Sequence, residues 1–199
     1  MRYFMLLVLT SLMLSGCAAF SPEAEPNSLD SGTVIEPPVV LTDFTLPSSL
    51  GRDLSLRELQ GKPTLLFFGY TFCPDVCPLT LSEFRKVKEN LGSDGDAVNY
   101  LFISVDGERD TPEVLARYVQ NFDPGFVGMQ GDEATLRRIG KDYGLFYQKN
   151  TPEGTGAAYL VDHSSASYLL DAEGRMRVVY SFGTSPETIT EGVQQLLEE

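Results

Sequence analysis

The chain has 199 residues, 28 acidic and 15 basic side chains, a formal net charge of −13, three cysteines and one histidine. That length supports one domain with its own core plus an appended segment, and the acidic balance excludes a nucleic-acid binder, which needs basic groups to neutralise phosphates. A lone histidine excludes sites built on several imidazoles, and an odd cysteine count leaves one thiol outside any intramolecular pair.

Residues 1–16 (MRYFMLLVLTSLMLSG) carry one charge, Arg2, followed by an apolar run. The run is too short for the roughly 20 residues a membrane span requires and reads as a secretory signal. It ends in Leu14-Ser15-Gly16-Cys17, which resembles the lipobox of bacterial lipoproteins and implies a lipid on Cys17. The alternative is an ordinary signal cleaved near Ala18-Ala19; either way the mature protein is exported. Residues 17–38 are rich in Pro, Ser, Ala and Glu and lack an apolar period, so they read as a lipidated cysteine and flexible tether.

The folded domain is expected over residues 39–199. Val40–Leu46 alternates like a strand, with Gly51–Leu56 as its hairpin partner. Thr64–Tyr70 and Asn99–Val105 are nearly continuous apolar runs, as in strands buried on both faces. Between them, Leu81, Phe84, Val87 and Leu91 recur at helical spacing, with Pro78 in the first turn and Gly92 as a stop. Thr111-Pro112-Glu113 starts a second helix through Leu115, Tyr118, Val119 and Phe122, and Leu136, Ile139 and Tyr143 mark a third. Ser167–Leu170 and Met176–Phe182 flank Asp171-Ala172-Glu173-Gly174 as a hairpin. A final helix opens at Ser185-Pro186-Glu187 and presents Ile189, Val193, Leu196 and Leu197. This order predicts an α/β domain with parallel strands joined by helices and an antiparallel edge.

The chemistry concentrates in Gly69-Tyr70-Thr71-Phe72-Cys73-Pro74-Asp75-Val76-Cys77-Pro78, between a buried strand and a helix start. A helix N-terminus favours negative charge and lowers a thiol pKa, whereas the Asp75 carboxylate disfavours two thiolates without a cation. The pair reads as a disulfide, structural or redox-active, or as a clasp for a soft metal. A structural disulfide across so short a loop gains little. The single imidazole lies in Val161-Asp162-His163-Ser164-Ser165, expected in a loop at one end of the sheet. Three readings apply to His163: an ordinary surface residue, a hydrolase histidine, for which no Gly-x-Ser-x-Gly elbow is present, or a third ligand beside Cys73 and Cys77. Two thiolates and an imidazole in a trigonal set suit Cu(I), while a closed structural zinc site asks for a fourth ligand.

Together these motifs resemble the Sco/SenC family, thioredoxin-like proteins implicated in copper delivery to cytochrome c oxidase. The resemblance runs from about Phe44 to the final helix. It rests on the Cys73–Cys77 loop, on Ser104-Val105-Asp106 with Glu108-Arg109-Asp110-Thr111-Pro112, on Tyr143-Gly144, and on Val161-Asp162-His163-Ser164. It implies a thioredoxin-like fold and copper, Cu(I) with Cu(II) also open, held by Cys73, Cys77 and His163. One departure is Gly107, where the family usually has proline, which reads as a loosened loop near the site.

Asp162 has two readings of equal weight, a carboxylate orienting His163 and a solvated turn residue. Asp106 ends a buried strand, where open α/β sheets place their sites; Glu108, Arg109 and Asp110 read as a solvated, helix-capping cluster. The resemblance implies a copper metallochaperone serving the copper-centre subunit of the oxidase. The alternatives are a thiol-disulfide oxidoreductase acting on that subunit's cysteines, or a copper or redox sensor. Against a general reductase stand the Cys-x₃-Cys spacing, the absence of proline between His163 and Tyr168, and the lack of a redox task for His163. Other copper chaperones or thiol reductants are implied as partners, in the bacterial cell envelope, with a lipid anchor on the membrane.

Overall fold

The computed structural model describes residues 32–151 and 159–199. The signal segment, Cys17 and the tether as far as residue 31 lie outside the described residues. The sheet begins earlier than composition implied: β1 (Thr33–Val40) pairs antiparallel with β10 (Arg175–Tyr180), so the last residues assigned to the tether are an edge strand. Its side chains are mostly exposed, which is why its apolar content carried no strand signal.

A small hairpin of β2 (Thr45–Pro47) and β3 (Asp53–Ser55) follows. The central strands β4 (Thr64–Gly69) and β5 (Asn99–Ser104) run parallel, and β6 (Val127–Gln130) extends that parallel set. On the other side of β4 lie β9 (Ser167–Leu170) and then β10, both antiparallel to their neighbours. The resulting six-stranded order is β1-β10-β9-β4-β5-β6. Every residue of β4 is buried, as a central strand covered on both faces requires. Strand β6 gives no signal in the sequence, because it is short and interrupted by Gly128. That glycine admits α2 (Pro112–Val119): a Cβ there would stand 2.8 Å from the Leu115 Cβ.

The helices form where the apolar period and caps place them. Helix α1 (Val76–Leu91) buries Leu81, Phe84, Val87 and Leu91 and stops at Gly92, whose φ is +59°. The Thr111, Asp132 and Ser185 side chains accept the backbone N–H three residues on, capping α2, α3 (Glu133–Tyr143) and α4 (Pro186–Glu198). Phe67 and Phe102 pack with their rings tilted on the side of α1 and α2, where Phe102 meets Tyr118. On the opposite face Phe68 and Tyr168 meet Tyr143 of α3 edge-on, and the Tyr168 hydroxyl donates to the Tyr143 carbonyl. The fold is α/β and thioredoxin-like, as expected.

One element departs from expectation. Tyr147–Asn150 (β7) and Leu160–His163 (β8) form a two-stranded antiparallel ribbon separate from the main sheet. His163 therefore ends a strand instead of lying in a loop. Among the described residues no helix is long and apolar enough to cross a membrane.

Candidate metal centre

Strand β4 delivers the cysteine loop to the top of the sheet, and Gly69 is what lets the loop turn over α1. A Cβ on Gly69 would stand 2.7 Å from the Cys77 sulfur and 2.7 Å from the Phe102 ring. Cys77 is buried in the first turn of α1, while Cys73 is partly exposed, and both are free cysteines. At the start of α1 the Asp75 side chain makes no capping bond. The Cys73 sulfur takes that place, accepting the Cys77 N–H at 3.4 Å and a backbone bond from Asp75. Free helix-start N–H groups aimed at one sulfur stabilise its anion.

The two thiols are consequently unequal. The Cys73 thiol is lowered to about 4, first by the hydrogen bond from the Cys77 side chain, then by hydrogen bonding with the His163 side chain and last by the helix-start amides, against the opposing effect of burial. Cys77 is pushed well above the ordinary thiol range, first by holding its proton towards Cys73 and then by burial. The pair shares one proton, a thiol donating to a thiolate. Asp75 acts through its amide, while its carboxylate is exposed.

His163 Nε2 lies 3.4 Å from the Cys77 sulfur. Its Nδ1 is 2.8 Å from the Ser164 carbonyl, an acceptor only, so Nδ1 carries a proton and the ring turns its Nε2 towards the sulfurs. Phe67 and Tyr70 meet the ring edge-on at centroid distances of 5.9 and 5.8 Å. The donor atoms of Cys73, Cys77 and His163 all lie within 4.8 Å of one another. Bonds of about 2.0–2.3 Å, as zinc makes to nitrogen and sulfur, would bring one ion into reach of all three. Two sulfurs and a nitrogen are a soft set that fits copper.

The flanking carboxylates divide differently from expectation. Asp162 is exposed and faces Asn150 at 3.4 Å; neighbours on a strand point to opposite faces, so it does not orient His163, and the Ser164 carbonyl does. Asp106 is buried, but it is tied to Arg109 and to the Tyr159 hydroxyl at 2.7 Å, away from the donors. Asp110, read from sequence as solvated, is fully buried. It accepts from the Thr71 N–H at 2.9 Å, the Thr71 hydroxyl at 2.6 Å and the Ser104 hydroxyl at 2.6 Å, fastening the root of the cysteine loop to the end of β5. Nothing in the sequence near Asp110 signals partners 39 residues away.

Gly107 does not loosen its loop. A Cβ there would stand 2.3 Å from the Gly131 carbonyl oxygen, and the Gln130 amide donates to the Gly107 carbonyl at 2.7 Å. Gly107→Ala is expected to cost about 1–3 kcal/mol by forcing two backbones apart, read as a lowered denaturant midpoint at unchanged slope. The nearby concavity of about 740 Å³, lined by Gly107, Glu108, Gln130 and Lys149, contains none of the three donors.

The sequence model described as SCO1/SenC matches residues 33–198. The chain belongs to the SCO1/SenC family. Among SCO1/SenC relatives, an "SCO2-like protein" of Rickettsia felis is 34% identical over 149 residues, covering 75% of this chain and 73% of its own. The structure of Bradyrhizobium japonicum ScoI with copper bound is 38% identical with a TM-score of 0.71, covering 79% of this chain and 99% of its own. BsSco, described as a member of the Sco family of cytochrome c oxidase assembly proteins with a disulfide switch, is 22% identical with a TM-score of 0.60. It covers 82% of this chain and 96% of its own, and the likeness is one of fold.

Proposed function

We propose that this protein binds copper through Cys73, Cys77 and His163 and delivers it to the copper-centre subunit of cytochrome c oxidase. The observation that carries this reading is the convergence of the three donor atoms, two contributed by one loop and the third by a ribbon 86 residues away. The copper-bound relative supports it. Cys73 and Cys77 hold the ion as thiolates and His163 as a neutral imidazole, and the aromatic rings around His163 restrain the ring. The partly exposed position of Cys73 and His163 suits exchange with another protein's ligands more than enclosure of a resident ion. The protein is exported and anchored by lipid on Cys17, with the domain outside the cytoplasm beside its membrane partner.

Copper titration of the reduced protein, with X-ray absorption at the bound metal, tests the assignment. One copper per chain with two sulfur ligands and one nitrogen ligand is expected; a site with no nitrogen, or undiminished binding by His163→Ala, would remove the three-ligand centre. Because Cys73 is already ionised at neutral pH and Cys77 is not, binding is expected to release about one proton per copper. Apparent affinity should therefore rise about tenfold per pH unit between pH 6 and 8.

A second reading rests on the lowered Cys73 thiol, which supplies a thiolate for exchange with a partner's disulfide. Brisk insulin reduction without copper would favour that thiol-disulfide oxidoreductase role; failure to turn over insulin while binding copper would favour delivery.

A further inference from the structure

We propose that Arg109 is a positioning residue that latches the β7–β8 ribbon to the body of the domain and so holds His163 opposite the two cysteines. This inference rests on the copper reading above. The ribbon carrying His163 is hydrogen-bonded as a sheet only within itself, so beyond the buried Val161, its backbone bond with Tyr70 and the short connection to β9, the placement of the imidazole draws on side-chain attachments at the ribbon's base. Arg109 makes the most concentrated of these. Its guanidinium lies 3.7 Å from the Tyr159 ring centroid, immediately before β8, and its Nη1 donates to the Tyr159 carbonyl at 3.0 Å. The same guanidinium lies 4.8 Å from the Phe72 ring, next to Cys73, and 5.8 Å from the Tyr70 ring, which in turn abuts His163. Asp106, whose side chain is wholly buried, pairs with the Arg109 Nε and accepts the Tyr159 hydroxyl.

One guanidinium thus touches the ribbon, the cysteine loop and the end of β5. Among the described residues its buried Nη2 has no hydrogen-bond partner; the flat face of the group is spent on aromatic rings. Desolvated stacking of this kind is stronger than an exposed ion pair. Two other attachments of the ribbon to carboxylates, Lys149 to Glu108 at 2.6 Å and the Tyr147 hydroxyl to Glu133 at 2.8 Å, are exposed and contribute little.

The test is a double-mutant cycle read by competition for Cu(I) on the reduced protein. Arg109→Gln is expected to weaken binding by roughly 10- to 100-fold, the range for residues that orient a ligand, with loss of the nitrogen ligand from the X-ray absorption spectrum. In a His163→Ala background the same substitution should produce no further loss, because the ligand it positions is gone. Arg109→Lys should fail to rescue, since an ammonium cannot stack between two rings. Removing Arg109 exposes the buried Asp106 carboxylate to a missing partner, so Tyr159→Leu provides a second arm that leaves the ion pair in place. It should show the same dependence on His163. Equal losses with and without His163, or unchanged affinity in a folded variant, would overturn the latch. A parent protein that took up no copper would sink the copper reading and this proposal with it; a parent that binds, with indifferent variants, would sink the latch alone.

Discussion

Cys77→Ala is expected to abolish copper binding and to move the Cys73 titration up towards the ordinary thiol range. Both effects follow from the same contact. The Cys77 sulfur is one of the three converging donors, and its loss leaves a thiolate and an imidazole as the remaining pair. The loss of affinity should exceed the roughly 10- to 100-fold associated with residues that only support a ligand. The Cys77 thiol is also the largest contributor to holding Cys73 low. In the parent protein, alkylation of Cys73 by iodoacetamide should persist down to about pH 5 and fade as pH falls through the region near 4. In Cys77→Ala the fade should move up by pH units, with the helix-start N–H groups retaining part of the shift. The sign for stability follows from the lowered thiol. Its contribution is present above the unfolded thiol range and is lost as pH falls towards the folded value. An alkylation profile unchanged by the substitution would show that the helix start and His163 set the thiolate without the Cys77 thiol.

Asp110→Ala is expected to be the most destabilising substitution near the site that touches no donor. The carboxylate accepts three hydrogen bonds in a fully buried position, and its removal leaves the Thr71 N–H and two hydroxyls without that acceptor. At about 1–3 kcal/mol for a buried unsatisfied group, the expected loss is about 2–4 kcal/mol. A domain of this size loses roughly 2–4 °C of Tm per kcal/mol, and calorimetry reads the shift. Asp110→Asn keeps one acceptor oxygen and should lose less. Burial raises the Asp110 carboxyl, outweighing the hydrogen bonds from Ser104 and Thr71 that lower it. The folded state therefore holds this proton to higher pH than the unfolded chain. Its contribution to stability falls as pH rises through the folded value and then levels off. Parent stability should accordingly decline against Asp110→Asn with rising pH across the acid range. A parallel pair of pH profiles would mean that Asp110 ionises as it would in water.

Several elements were legible because their signals are local. Helix α1 announces itself by four apolar residues on one face and a glycine stop, α2 by Thr111-Pro112, and β4 by an unbroken apolar run. The cysteine pair was legible from its place between a buried strand and a helix start, and the association of His163 with it came from the family resemblance. Strand β1 was not legible, because its residues are exposed and its pairing with β10 is a contact across the whole chain. Nor was β6, where Gly128 answers to the side chain of Leu115 and not to its own neighbours.

Sequence alone determined the fold class, the strand–loop–helix setting of Cys73 and Cys77, and a soft donor set limited by a single histidine. Those properties depend on residue type and on spacing within a few turns of chain. Tertiary structure decided which groups serve the donors: the Ser164 carbonyl and not Asp162 for His163, the helix-start amides and not the Asp75 carboxylate for Cys73, Asp110 for the loop root, and Arg109 against Phe72 and Tyr159. The Asp110 and Arg109 contacts join segments distant in sequence, and the others, though local, are choices of backbone geometry and strand face; none leaves a periodic trace. The three cysteines and one histidine of an acidic chain thus named the chemistry, and the packing of the sheet and ribbon chose its supports.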